Sequence, residues 1–129
     1  MRSSELVAII EASNDLEALR AAIAPAMPAF RRGLAERGRS APILIGTEGK
    51  TITIQEEHVA QVCREYLEGH LDASEFAYVM TALELCPDFV MASEGVAAAV
   101  SVLSESPVAD PTLRTRVGTI LHSLQSTAH

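Results

Sequence analysis

The chain has 129 residues, 48% of them hydrophobic and 21% charged, and its 10 basic and 17 acidic side chains give a formal charge of −7. That apolar share excludes intrinsic disorder, two cysteines exclude a disulfide scaffold, and the length suits one domain, residues 1–129, around its own core. Aliphatic runs such as Val96 to Leu103 reach about eight residues, against the ~20 that a bilayer needs. Met1-Arg2-Ser3-Ser4 opens no apolar signal block, so a cytoplasmic protein without a membrane span is expected.

The first helical signal begins at Ser4, a candidate cap, and carries Leu6, Val7, Ile9 and Ile10. Asn14 with Glu17 three residues on has the spacing of a capping box, and Leu16, Leu19 and Ile23 share one face behind it before Pro25 closes the segment. Pro28 suits the first turn of a third segment, Pro28 to Arg37, and Gly38 suits its C-terminal cap.

Between Ile43 and Ile54 the pattern changes to β-branched and apolar residues around Thr47-Glu48-Gly49-Lys50, which predicts a β-hairpin over about residues 43–54. Two strands alone are marginal in water, so the ribbon must rest on helices. Two further helices, about Gln55 to Glu68 and Ala73 to Cys86, form an αα-hairpin, with Gly69 ending the first and Asp72 and Glu75 capping the second. Phe76, Val79, Met80 and Leu83 make one apolar face of the second helix, and Tyr78 and Leu85 point the other way, the mark of a central helix. After Pro87 a helix from Ser93 to Glu105 carries Val96, Val100 and Leu103. Asp110-Pro111 then starts a last helix with Leu113, Val117, Ile120, Leu121 and Leu124 inward. The expected fold is mainly α, a single-domain bundle of five to six helices with one small β-hairpin.

Charge divides the chain. Residues 1–54 carry seven Arg/Lys and six Asp/Glu, residues 55–129 only three and eleven. Such an anionic second half repels nucleic acid, whose binding rests on cations neutralising phosphates, and attracts a cationic protein. The one basic patch is Arg31-Arg32 with Arg37 and Arg39, for which a balancing contact with the acidic half is expected rather than nucleic-acid binding.

Residue patterns for chemistry fall short. Gly46-Thr47-Glu48-Gly49-Lys50-Thr51 looks like the end of a phosphate-binding loop, but Leu44 stands where the motif needs glycine and a strand follows where it needs a helix. Glu56-Glu57-His58 and His70-Leu71-Asp72 are the best candidate metal ligands, yet neither supplies paired imidazoles on one helical face or a Cys-x-x-Cys. They read as a solvated helix start and a helix cap. Cys63 and Cys86 would lie roughly 12 Å apart along an antiparallel hairpin at 1.5 Å per residue, too far for a disulfide, and read as core residues. No enzyme activity, metal or cofactor is expected.

Tyr66-Leu67-Glu68-Gly69, Leu71, Ser74-Glu75-Phe76, Ala82-Leu83, Phe89, Val96, Val100, Leu103-Ser104, Pro107, Leu113, Ile120-Leu121 and Leu124 form a layout of helix ends and core positions over about residues 55–126. It resembles small bacterial immunity proteins of contact-dependent growth inhibition and related polymorphic toxin systems. The resemblance implies a non-enzymatic inhibitor that binds one cognate toxin domain in the cytoplasm. Many such toxins are basic nucleases, which agrees with the charge division. On that reading Glu57, Glu65, Glu68, Glu75 and Glu84 are the partner-binding rim charges and Tyr78 an aromatic anchor. The competing class is a helical adaptor or regulatory subunit whose Tyr78/Leu85 patch joins two copies as a homodimer.

Overall fold

The computed structural model describes residues 2–12, 16–35, 45–106, 108 and 110–127. Seven helices and two short strands lie among them: α1 (Ser3–Glu11), α2 (Leu16–Ile23), α3 (Met27–Ala35), β1 (Ile52–Ile54), α4 (Glu56–Leu67), α5 (Ala73–Leu85), β2 (Phe89–Met91), α6 (Glu94–Glu105) and α7 (Leu113–Thr127). The protein is mainly helical, as its periodicity predicts. None of these helices is long and apolar enough to cross a membrane.

Capping chemistry fixes the boundaries. Asp72 accepts the Glu75 backbone N–H at 2.8 Å and Glu75 accepts the Asp72 N–H at 2.9 Å, closing the predicted box at the start of α5. Ser93 Oγ accepts the Val96 N–H at 3.2 Å and starts α6. Gly69 ends α4 at φ +82°, a left-handed conformation that glycine adopts without steric cost. The first helix departs from expectation: Arg2 is its N-cap residue, and Ser4 sits inside it with its hydroxyl and backbone N–H both directed at Glu48. Asn14 and Gly38 lie outside the described residues.

α5 is the central element, packed on α3, α4 and α6, and every residue from Glu75 to Leu83 is buried. α7 packs mainly on α4, and α1 joins α4 to α2. One hydrophobic cluster runs through all seven helices, from Leu6 and Ile23 through Phe30, Val62, Phe76 and Leu103 to Val117. Two aromatic pairs lie within it: Phe30 against Tyr78 edge-on, with centroids 5.2 Å apart, and Tyr66 against Phe76 at 4.7 Å.

The β element is small, as expected, but its pairing is different. Ile52-Thr53-Ile54 is a strand with Ile54 fully buried, yet its partner is Phe89-Val90-Met91, in parallel, in register Ile52 to Phe89 and Ile54 to Met91. The hairpin is therefore corrected to a parallel pair whose crossover is the α4–α5 hairpin. Ile43 and Leu44 of the expected first arm lie outside the described residues, and Gly46 makes only an isolated bridge to Arg2. Between Ile45 and Lys50 the chain is instead held by side chains. Asp88, buried before β2, accepts the Ser3 hydroxyl and the Glu48 N–H, both at 2.6 Å. This carboxylate ties the start of α1, the 45–50 loop and the β2 approach together.

Candidate functional site

The strand β1, not a helix, comes next after Lys50, and the Glu48 N–H that an anion would need is already donated to the Asp88 carboxylate, while the Glu48 carboxylate accepts from Ser4. The loop that resembles a phosphate cradle is thus an internal brace. Hydrogen bonds from the Ser4 hydroxyl and backbone hold Glu48 below the ordinary carboxylate range, and the Ser3 hydroxyl and Glu48 N–H do the same for Asp88. Charge is the stable state of both.

The two candidate metal triplets separate in space. His58 is buried, not a solvated helix start: its Nδ1 accepts the Gln55 N–H and its Nε2–H donates to Glu11, both at 2.9 Å, which fixes the tautomer and joins α4 to α1. His70 turns back over the last turn of α4 and donates from Nδ1 to Glu65 at 2.8 Å, with Glu68 at 3.5 Å. Among the described residues, Glu65, Glu68 and His70 place one ligand atom each within 4.8 Å of one another and are the group that could hold a cation. The His70–Glu65 hydrogen bond accounts for that geometry without one. The signal in the sequence is Glu65-x-x-Glu68-Gly69-His70, where the left-handed glycine brings the imidazole back to two carboxylates one turn apart.

Both cysteines are buried and free. Burial pushes the Cys63 thiol up to about 12, far from the thiolate that nucleophilic or redox chemistry uses.

The six expected partner-binding residues divide into two groups. Tyr78 is 1% exposed, against Phe30 in the core, and is corrected from surface anchor to core residue. The reason is α3, which covers the second apolar face of α5. Glu75 is 5% exposed, committed to the α5 cap and to Arg20 Nε at 2.8 Å. Glu65 is 9% exposed and accepts from Gln61 and His70. These two hold structure and withdraw from the rim. Glu57, Glu68 and Glu84 remain exposed, joined by Glu94 and Glu105 at the ends of α6.

The cations of this half are occupied. Arg64 pairs with Glu57, and Arg116 pairs with Asp110 at 3.3 Å and donates to Ser106. Arg114 donates to the Tyr66 and Leu67 carbonyls and stacks 5.5 Å from the Tyr66 ring centroid. Glu84, Glu94 and Glu105 have no ion-pair partner among the described residues. Arg31 pairs with Asp72 at 3.0 Å, the balancing contact expected of the arginine patch, while Arg37 and Arg39 lie outside the described residues. Among large apolar side chains, Leu85 is 58% exposed, Val90 50% and Val102 45%.

Comparison with protein-family models, with curated proteins and with solved structures gives no match.

Proposed function

We propose that the chain is a non-enzymatic binding protein, an immunity-type inhibitor that neutralises a basic, nuclease-like toxin domain through its acidic helical surface in the bacterial cytoplasm. The observation that carries this reading is the mismatch of charge on residues 55–127. The three arginines there are tied to acceptors within the chain, Arg64 to Glu57, Arg116 to Asp110 and Arg114 to backbone carbonyls, while Glu84, Glu94 and Glu105 stand exposed without ion-pair partners among the described residues. An uncompensated anionic face steers a cationic partner into encounter and penalises nucleic acid. The carboxylates that could have served acid–base work are spent on caps and braces, since Glu75, Glu48 and Asp88 are each locked by backbone N–H groups.

The test is co-production. The chain is used as bait in its source cell, recovered basic domains are expressed alone and with the chain, and colony survival is counted. Survival restored by the chain supports the reading; recovery of no toxic domain, or toxicity unaffected by the chain, overturns it.

A second reading, a homodimeric adaptor, is favoured by the exposure of Leu85, Val90 and Val102. With Tyr78 in the core, only the Leu85 half of its self-interface remains. Sedimentation separates the two: a tight dimer broken by Leu85→Ser supports the adaptor, a monomer the inhibitor.

A further inference from the structure

α6 and α7 leave an open, mostly apolar groove of about 670 Å³ between them. Ala98, Ala99 and Val102 from α6 and Thr119, Ile120 and Leu124 from α7 line it. Small side chains on α6 keep its wall low, so that another backbone can approach closely, and Val102 is the exposed apolar residue on that wall. Helical spacing puts Glu94, Ala98, Val102 and Glu105 on one face of α6, at i, i+4, i+8 and i+11. Both ends of the apolar stripe therefore finish in an exposed carboxylate without a partner among the described residues, and Glu56 lines the groove as well. Arg116, the cation in the lining, is neutralised by Asp110.

An apolar trough whose α6 wall carries an acid at each end of its exposed face complements an amphipathic helix with an apolar stripe and Lys or Arg flanking it. α6 spans roughly 16 Å at 1.5 Å per residue, the length of about three helical turns. We infer that the α6–α7 groove is the docking site for such a cationic helix of the partner protein. This rests on the inhibitor reading and narrows it: the rim charges at Glu94 and Glu105 steer, and the groove between them grips.

The experiment uses the full chain and a panel of fluorescein-labelled, lysine-flanked amphipathic peptides of about eleven residues, with Ala-, Val- or Leu-built stripes, followed by anisotropy at low and moderate salt. At least one peptide should bind saturably, with affinity lowered tenfold or more by Ala98→Trp, which fills the groove from an exposed position. The same loss is expected from Glu94→Lys with Glu105→Lys, and unchanged thermal midpoints show that the variants fold. Binding equal to that of composition-matched scrambled peptides, or indifferent to Ala98→Trp, overturns the groove. So does self-association abolished by Ala98→Trp, which gives the groove to a second copy. Rescue from a toxin by Ala98→Trp as efficient as by the wild type would sink the groove and leave the inhibitor reading standing.

Discussion

The edge-on pair of Phe30 and Tyr78 decides between two roles for Tyr78, and a double-mutant cycle reads the decision as energy. Both rings are fully buried, with centroids 5.2 Å apart and planes at 88°. Tyr78→Ala should therefore remove an aromatic side chain from a close-packed site and cost about 3–5 kcal/mol, as buried aromatic truncations do. At this chain length that lowers the thermal midpoint by roughly 4 °C per kcal/mol, or about 12–20 °C. Leucine at each position keeps the double variant folded, and the cycle Phe30→Leu, Tyr78→Leu and both together isolates the ring–ring contact, expected at about 0.5–1.5 kcal/mol. Chemical denaturation followed by far-UV circular dichroism measures all four proteins. A Tyr78→Ala midpoint within 2 °C or so of the wild type, or a coupling indistinguishable from zero, would refute the packing of α3 on α5 and return Tyr78 to the surface.

Asp72→Ala should cost about 1 kcal/mol through the lost cap, with Asp72→Ser recovering most of it; equal losses in both would show that the box in α5 does not form. Burial keeps the native Cys63 thiol protonated at pH 8. Ellman's reagent should accordingly find no fast Cys63 thiol until denaturant is added, and prompt native labelling would contradict its burial. Asp88 and Glu48 have lowered values in the folded chain, so the stability they contribute is complete above the ordinary carboxylate range near pH 4 and fades as pH falls through those lowered values. The stability gap between wild type and Ser3→Ala should therefore be widest at neutral pH and narrow towards pH 2; a gap constant with pH would mean that Ser3 does not act through the Asp88 charge.

Local signals were legible and long-range ones were not. The Asp72/Glu75 box and the Gly69 terminus are encoded within four residues, and each stands where its spacing puts it. The alternation of Ile52 and Ile54 identified a strand, but a three-residue strand says nothing of its partner. The nearest apolar run looked like the natural choice, whereas β1 crosses to Phe89-Val90-Met91 over two helices. The same limit hid Asp88, whose acceptor role depends on Ser3 and Glu48, 85 and 40 positions away. At the candidate surface, total charge could be counted but not exposure. Glu65 and Glu75 share the chemistry of Glu57 and Glu84, and only the third dimension shows the former consumed by His70 and Arg20. Glu94 and Glu105 carry no local signal that sets them apart, because the open space beside α7 that their helix face borders is made by the packing of two helices.

The central claim is that uncompensated negative charge on residues 55–127 captures a positively charged protein. Its most direct measurement is calorimetric titration of a toxin domain, one whose lethality the chain lifts, into the wild type and into the triple variant Glu84→Lys, Glu94→Lys and Glu105→Lys, at two ionic strengths. The account requires wild-type affinity that falls with salt and a variant weaker by tenfold or more whose salt dependence is flattened. Equal affinity and equal salt dependence in the two proteins would show that this surface is not what the partner recognises.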